Sequence, residues 1–221
     1  MPAFAGFDTS AFPGTSVTSW LKAHTNLQWC GFYLGPSPSH PGADWMSHLA
    51  DLMAQRWGIA SLYVGQQVMG PGSHHTSGPR GTTDGRDAVA LMQQAGFATG
   101  RFVYLDLENG APFTPAQHDY VGSWVDAVEA GGYGAGVYCS HTFADHVHQH
   151  RPSARIWAFK VPTVLGHTVP GTNFRDSHPG GSGFPGAFIW QHDQHAMITA
   201  GTKSLNVDLD TALTPDPGAP G

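Results

Sequence analysis

The segment "YLDLENG" at positions 104–110 places two carboxylates, Asp106 and Glu108, two residues apart inside an apolar run. Side chains at positions i and i+2 of a β-strand point to the same side. Both carboxylates would therefore face one spot, while Leu105 and Leu107 face the other way. Two acids at one spot cost desolvation and mutual repulsion. We therefore expect the pair either to be exposed to solvent or to perform chemistry.

Other acidic residues also lie near the ends of strand-like segments: Asp8 near the N-terminus, and Asp208 with Asp210 near the C-terminus. Paired carboxylates in a cleft carry out glycoside hydrolysis, in which one acid donates a proton and another stays ionised. Neighbouring acids push their pKa values apart, which suits this division of roles. An acid just past a strand can instead cap a helix or bind a turn amide, and this alternative stays open for each residue taken singly.

Three tryptophans, Trp29, Trp157 and Trp190, are candidates for stacking on a sugar, although any of them could belong to the core. His146 and His150 have the i, i+4 spacing that can bind zinc on a helix. The glutamate of an H-E-x-x-H motif is missing there, so a solvated polar helix is the favoured interpretation and no metal or cofactor is expected. The sequence also lacks a nucleophile elbow for a Ser or Cys enzyme and a phosphate-binding loop.

The composition is that of a globular protein: 221 residues, 40% hydrophobic, with a formal net charge of -6. The chain has no basic run, so we expect no nucleic-acid partner. It also has no stretch of roughly 18 apolar residues, so we expect no membrane span. Cys30 and Cys139 could form one disulfide or remain two buried thiols.

Strand-like and helix-like segments alternate along the chain, which predicts a parallel sheet. The predicted strands are 3–10, 27–35, 59–67, 101–110, 133–140, 154–161, 186–194 and 205–212, and the predicted helices are 16–24, 44–58, 82–96, 114–132 and 141–150. We expect a (β/α)8 TIM-like barrel with an incomplete helical ring on its C-terminal side. A doubly wound open sheet is the main rival, and the absence of G-x-G-x-x-G after the first strand disfavours its nucleotide-binding version.

The predicted barrel places the acidic residues at one mouth, because functional groups of such barrels sit at the C-terminal ends of the strands. Asp8 would end the first strand, Asp106 and Glu108 the fourth, and Asp208 and Asp210 the last. We interpret residues 1–213 as one barrel domain and residues 214–221 as a Pro/Gly-rich tail or linker.

Eight short motifs occur in order along nearly the whole chain: "GFDTS", "GFYLG", "YVGQQ", "YLDLENG", "GVYCS", "IWAFKV", "IWQHDQ" and "NVDLD". Together they resemble the glycoside-hydrolase-like domain of secreted actinobacterial proteins, a domain long described as of unknown function. That domain is in turn similar to the family 25 glycoside hydrolases, the lysozymes of the Chalaropsis type. The resemblance implies a barrel with an incomplete helical ring and a groove for bacterial cell-wall glycan.

The resemblance also implies roles for individual residues. Glu108 matches the general acid, and Asp106 matches the first acid of the Asp-x-Glu motif, which orients the reacting group or stabilises charge. Asp8 and Asp208 match the acids of the first and last strands. The residues expected to contact the substrate are Tyr138, Trp157, Trp190, Gln191, Gln67 and Asp210.

The activity implied by this resemblance is hydrolysis of peptidoglycan, most simply as a β-1,4 N-acetylmuramidase that needs no cofactor. The first strand lacks the Trp-Gln pair of family 25 lysozymes, which leaves open a hydrolase of a different wall polysaccharide. A non-catalytic glycan-binding domain is the alternative from another class. We expect a monomer that is secreted or associated with the cell wall, although residues 1–10 lack the basic start and apolar core of a signal peptide.

Overall fold

The computed structural model describes residues 2–68, 70–108, 113–161 and 166–221. Within them, eight strands close into one barrel in sequence order, in agreement with the predicted closed α/β barrel. The strands are β1 Phe4–Asp8, β2 Trp29–Tyr33, β3 Gly58–Val64, β4 Phe102–Asp106, β5 Gly134–Ser140, β6 Arg155–Phe159, β7 Ile189–Ala200 and β8 Lys203–Ala212. The helices are α1 Thr15–His24, α2 Leu49–Ala54, α3 Gly78–Ala95, α4 Pro115–Ala130 and α5 His141–His150.

The last strand runs in the opposite direction to the other seven. Neighbours from β1 to β7 pair in parallel, whereas β8 pairs antiparallel with both β7 and β1. Residues 201–202 alone connect β7 to β8, with Gly201 at a φ of 63°. A parallel connection needs a crossover of about a dozen residues. The prediction of a parallel arrangement was therefore wrong for the last strand, which returns through a hairpin.

Helix α3 begins four residues before the predicted start at position 82. The Ser77 hydroxyl caps it by accepting from the Arg80 N–H. The glycines of its first turns allow α3 to pack tightly on α4, since a Cβ at Gly81 would lie 2.2 Å from the Tyr120 carbonyl oxygen. Helix α4 begins as predicted, with Thr114 as N-cap.

Some other predicted boundaries differ from the structure. The predicted helix 44–58 is reduced to α2, with turns at 44–47. Residues 109–110, the end of the predicted strand 101–110, lie outside the described residues. Residues 162–165, which follow the predicted strand 154–161, also lie outside them. After β6, the described residues contain a 3-10 helix at Pro179–Ser182 but no α-helix.

Aromatic rings fill the interior of the barrel below its C-terminal mouth. The Trp157 ring lies 5.5 to 5.6 Å from the rings of Trp29, Tyr104 and Tyr138, in edge-to-face contacts. Glycines on neighbouring strands make room for these rings, because a Cβ at Gly6 would lie 2.1 Å from the Trp29 ring. Packed aromatic rings therefore fill the barrel interior beneath its mouth.

Cys30 and Cys139 are both buried and free. The structure therefore contains two buried thiols rather than a disulfide. Residues 214–221, interpreted above as a tail or linker, lie against the barrel: Asp216 pairs with Arg101 at 2.7 Å, and Tyr104 donates to the Pro217 carbonyl oxygen. Among the described helices, none combines the length and apolar character needed to cross a bilayer.

Candidate active site

Acidic residues from three strands meet at the C-terminal mouth of the barrel. Asp8 and Asp106 are the last residues of β1 and β4, and Glu108 follows β4 by two positions. Asp208 of β8 lies directly opposite Asp8 in the antiparallel pair. Asp8, Glu108 and Asp208 line one cavity of about 420 Å³. Asp106 and Asp210 are buried, at 4% and 1% exposure.

Asp208 and Asp210 reach this mouth by a different route from the predicted one. They lie inside β8 rather than at its C-terminal end. Because β8 is antiparallel to its neighbours, its earlier residues lie nearer the mouth and its later residues lie deeper. The prediction that both acids end the last strand was therefore wrong: Asp208 lines the mouth opposite Asp8, whereas Asp210 lies beneath it.

Three polar contacts hold the carboxylates that line the cavity. The Tyr33 hydroxyl donates to Asp8 Oδ1 at 2.6 Å. Asp208 accepts two hydrogen bonds, from Gln191 Nε2 at 2.6 Å and from the His195 backbone N–H at 2.7 Å. Tyr33 and His195 were not among the predicted site residues. Tyr33 could have been found, since it ends β2 and so reaches the same mouth.

Two predicted substrate contacts, Tyr138 and Trp157, instead support the cluster from below. Tyr138 donates its hydroxyl hydrogen to Gln191 Oε1 at 2.5 Å, which orients the amide that holds Asp208. Trp157 is fully buried and donates from Nε1 to Asp210 Oδ1 at 3.0 Å. Trp190 lies on the outer face of β7, because successive residues of a strand alternate and Gln191 faces inward. The structure therefore does not bring Trp190 to this cavity.

Gln67 fixes the backbone that carries Asp106 and Glu108. Its Nε2 donates to the Asp106 carbonyl oxygen at 2.9 Å, and its Oε1 accepts from the Glu108 N–H at 3.0 Å. The preceding Gln66 is anchored in turn by a hydrogen bond from its Nε2 to Asp84 Oδ2 at 2.9 Å. Gln67 thus connects the end of β3 to the segment after β4, and Gln66 connects it to α3.

Burial and mutual repulsion raise the pKa values of the clustered aspartates. Burial raises the pKa of Asp8 to about 8, the charge of Asp208 adds to this effect, and the Tyr33 hydrogen bond opposes it. Burial also raises the pKa of Asp208 to about 6, against the opposing effect of the His195 N–H. The pKa values of Asp106 and Asp210 lie well above the usual range, first because of burial and then because of neighbouring carboxylates.

The cluster therefore contains protonated and ionised carboxyls at the same pH. The contact between Asp8 and Asp210 raises the pKa of Asp210 and lowers that of Asp8, so Asp210 holds the proton of this pair. At pH 7 a pKa of about 8 leaves Asp8 mostly protonated, whereas a pKa of about 6 leaves Asp208 mostly ionised. Such a site can supply a proton at one position and stabilise a developing positive charge at another.

The histidines of α5 lie away from this cluster. His146 Nε2 lies 3.1 Å from His118 Nδ1 of α4, and the His150 ring lies 4.2 Å from the His146 ring. Among the described residues, no group of three or more His, Cys, Asp or Glu side chains is arranged to hold a metal ion.

A closed α/β barrel with a carboxyl-lined cavity at the mouth of its strands defines a glycoside hydrolase-like protein. The chain belongs to the family described as the Rv2525c-like, glycoside hydrolase-like domain, whose model matches residues 19–212. This agrees with the family predicted from the ordered motifs. No curated protein matches the chain.

Several solved structures share the fold at low sequence identity. An uncharacterized protein from B. stearothermophilus has a TM-score of 0.65 and 15% identity, over 95% of each chain. The bacterial lysozyme from Streptomyces coelicolor has a TM-score of 0.61 and 12% identity, over 96% of this chain and 92% of that one. A family 25 glycosyl hydrolase from Bacillus anthracis has a TM-score of 0.61 and 10% identity, over 96% and 89%.

Proposed function

We propose that this protein hydrolyses a bacterial cell-wall glycan. The proposed substrate is peptidoglycan, and the proposed point of cleavage is the β-1,4 glycosidic bond of N-acetylmuramic acid. The observation that carries the proposal is the cluster of carboxyls at the barrel mouth, where Asp8, Glu108 and Asp208 line one cavity of about 420 Å³. A purely structural cluster has no need to bury acids that repel one another. The fold shared with a lysozyme and a family 25 glycosyl hydrolase supports the choice of substrate.

Glu108 is the proposed general acid. It lines the cavity at the exposed edge of the cluster, where a glycosidic oxygen can reach it. Gln67 holds its backbone N–H, so the carboxyl projects from a fixed point. Glu108 would transfer its proton to the leaving oxygen as the bond between that oxygen and the anomeric carbon breaks.

Asp106 is the proposed positioning group for the substrate's acetamido side chain. Its Oδ1 has no hydrogen-bond partner among the described residues. The acetamido oxygen would attack the anomeric carbon and form a cyclic intermediate, giving retention of configuration. Water would then open the ring and return a proton to Glu108. Asp208, which is mostly ionised at pH 7, would stabilise the positive charge that develops on the sugar.

The test is release of reducing sugar from purified peptidoglycan at pH 5 to 7, comparing wild type with Glu108→Gln. Loss of a general acid is expected to slow turnover by at least about 100-fold while glycan binding persists. The chain offers a matched control, because Glu129, on the exposed side of α4, is its only other glutamate. We expect Glu129→Gln to retain wild-type activity.

Mass spectrometry of the new ends would identify the bond that is cleaved. Release that is equal in wild type and Glu108→Gln would overturn the assignment of the general acid. If wild type releases nothing but sediments with the glycan, the protein is a glycan-binding domain. If it neither cleaves nor sediments, the substrate is a different wall polymer. A wall substrate also implies that the protein acts outside the membrane, as a secreted or wall-associated protein.

A further inference from the structure

A second cavity lies on the outer face of the barrel wall that carries Asp208. It measures about 610 Å³ and is lined by residues of β7 and β8 and of the connection between β6 and β7. Trp190 and His192 of β7 line it, whereas Gln191 between them points inward to the carboxyl cluster. The wall of β7 and β8 therefore separates this outer cavity from the candidate active site.

The outer cavity carries two cations that have no acidic partner. The Arg175 guanidinium lies over the Trp190 ring, 4.2 Å from its centroid. Lys160 lines the same cavity. Neither side chain forms a salt bridge within the described residues, which include every Asp and Glu of the chain. The protein has a net charge of -6, so two unpaired cations at one cavity stand out as an anion-attracting site.

The one carboxylate that lines this cavity is already occupied. Asp193 Oδ2 lies 3.1 Å from His167 Nε2, and Asp193 Oδ1 accepts from the Gln194 N–H at 3.0 Å. Its hydrogen bonds do not cancel its charge, so the cavity holds two cations against one carboxylate and keeps a net positive charge.

A buried and neutral imidazole also lines the cavity. His192 is 8% exposed, and its Nε2 has no hydrogen-bond partner among the described residues. Burial, with the nearby charge of Arg175, lowers the pKa of His192 to about 4, so the ring is neutral near pH 7. The neutral ring adds no charge of its own, so the charge of the cavity comes from Arg175, Lys160 and Asp193.

We propose that this outer cavity binds an acidic sugar residue. Its carboxylate or phosphate would pair with Arg175 and Lys160. The apolar face of the sugar ring would pack on the wall formed by Val169 and Leu209. The site lies behind the strand wall and does not depend on the proposed hydrolysis, so it would hold a charged part of a polymer away from the point of cleavage.

The test is an NMR titration that follows the Trp190 indole N–H of the intact protein. Three probes separate the possible ligands: a glucuronate-containing oligosaccharide, N-acetylglucosamine 6-phosphate and neutral tri-N-acetylglucosamine. We expect at least one acidic probe to bind, with an affinity that falls as salt is added, and the neutral probe to bind at least about tenfold more weakly. The acidic probe that binds identifies the anionic group.

Two exposed substitutions locate the site. Arg175→Ala is expected to weaken binding of the acidic probe by about ten- to hundredfold, the range for losing a hydrogen bond to a charged group, and Lys160→Ala is expected to weaken it as well. Arg86→Ala, an exposed arginine on α3, is the control and should leave binding unchanged. Circular dichroism confirms that each variant is folded.

Three results would overturn the proposal: equal affinity for neutral and acidic probes, binding by neither acidic probe, or no effect of Arg175→Ala. Glu108→Gln should bind the acidic probe as wild type does. If Glu108→Gln abolished that binding, the probe would sit in the carboxyl cavity. That result would refute the outer site and would leave the proposed hydrolysis untouched.

Discussion

Replacing Asp8 by Asn tests whether the carboxyl cluster keeps a proton that the unfolded chain releases. Asn has nearly the same shape, and its amide oxygen can accept the hydrogen bond from the Tyr33 hydroxyl. The substitution therefore imitates the protonated form of Asp8 and removes its titration.

The size of the effect follows from the two pKa values of Asp8, which are 3.8 without perturbation and about 8 in the folded protein. Between them the folded state holds one proton more than the unfolded state. The free energy of unfolding therefore falls with rising pH, by about 1.4 kcal/mol per pH unit. From pH 5 to pH 7 this group lowers the stability of wild type by an amount on the order of 2 to 3 kcal/mol, and Asp8→Asn removes that loss.

Urea unfolding at pH 5, 6 and 7, followed by tryptophan fluorescence, measures this difference. The stability of Asp8→Asn relative to wild type should rise across the series, whatever constant cost the substitution has in packing. Asp126→Asn serves as the control, because that carboxylate is 65% exposed and pairs with Arg151 at the surface. Its stability should run parallel to that of wild type. Parallel curves for Asp8→Asn would refute the inference that burial keeps Asp8 protonated.

Two further predictions concern positioning and packing. Gln67→Met removes two hydrogen bonds to the backbone after β4, and we expect a lower kcat on peptidoglycan with little change in KM, measured by steady-state kinetics; a raised KM at unchanged kcat would indicate direct substrate contact instead. Gly81→Ala forces a Cβ to 2.2 Å from the Tyr120 carbonyl oxygen, and we expect a loss of about 1–3 kcal/mol in the free energy of unfolding. A Cβ at Gly78 on the same helix would meet no atom closer than the Ser123 hydroxyl, at 3.3 Å, so a loss of similar size in Gly78→Ala would contradict the packing argument.

The parts of the fold that depend on local pattern could be predicted from the sequence. Strands and helices alternate up to β6 because short apolar runs with period-two patterning give way to amphipathic segments with clear caps. Thr114 and Pro115 are such a cap, and the structure starts α4 there. The same period-two logic assigned Asp106 to the end of β4, and the strand-end argument assigned Asp8 to the same mouth.

The parts that depend on distant contacts could not be predicted in this way. The segment "GPRG" at 78–81 reads as a loop, but its glycines serve the close approach of α3 to α4. Strand β7 continues to Ala200 because it pairs with β8, a contact that its own residues do not indicate. His195 was missed because it acts through its backbone N–H, at a φ of 54°, and residue type does not encode that role.

The two similar motifs "DLE" at 106–108 and "DLD" at 208–210 enter the site from opposite directions. Strand β4 runs toward the mouth, so the first acid of its motif, Asp106, is buried and the second, Glu108, lines the cavity. Strand β8 runs away from the mouth, so the order is reversed: Asp208 lines the cavity and Asp210 is buried. Each motif thus supplies one deep acid with a strongly raised pKa and one outer acid within reach of a substrate. The hairpin that reverses β8 therefore determines which of its two acids can act on a ligand. A parallel last strand with the same sequence would place Asp210 at the mouth and Asp208 beneath it.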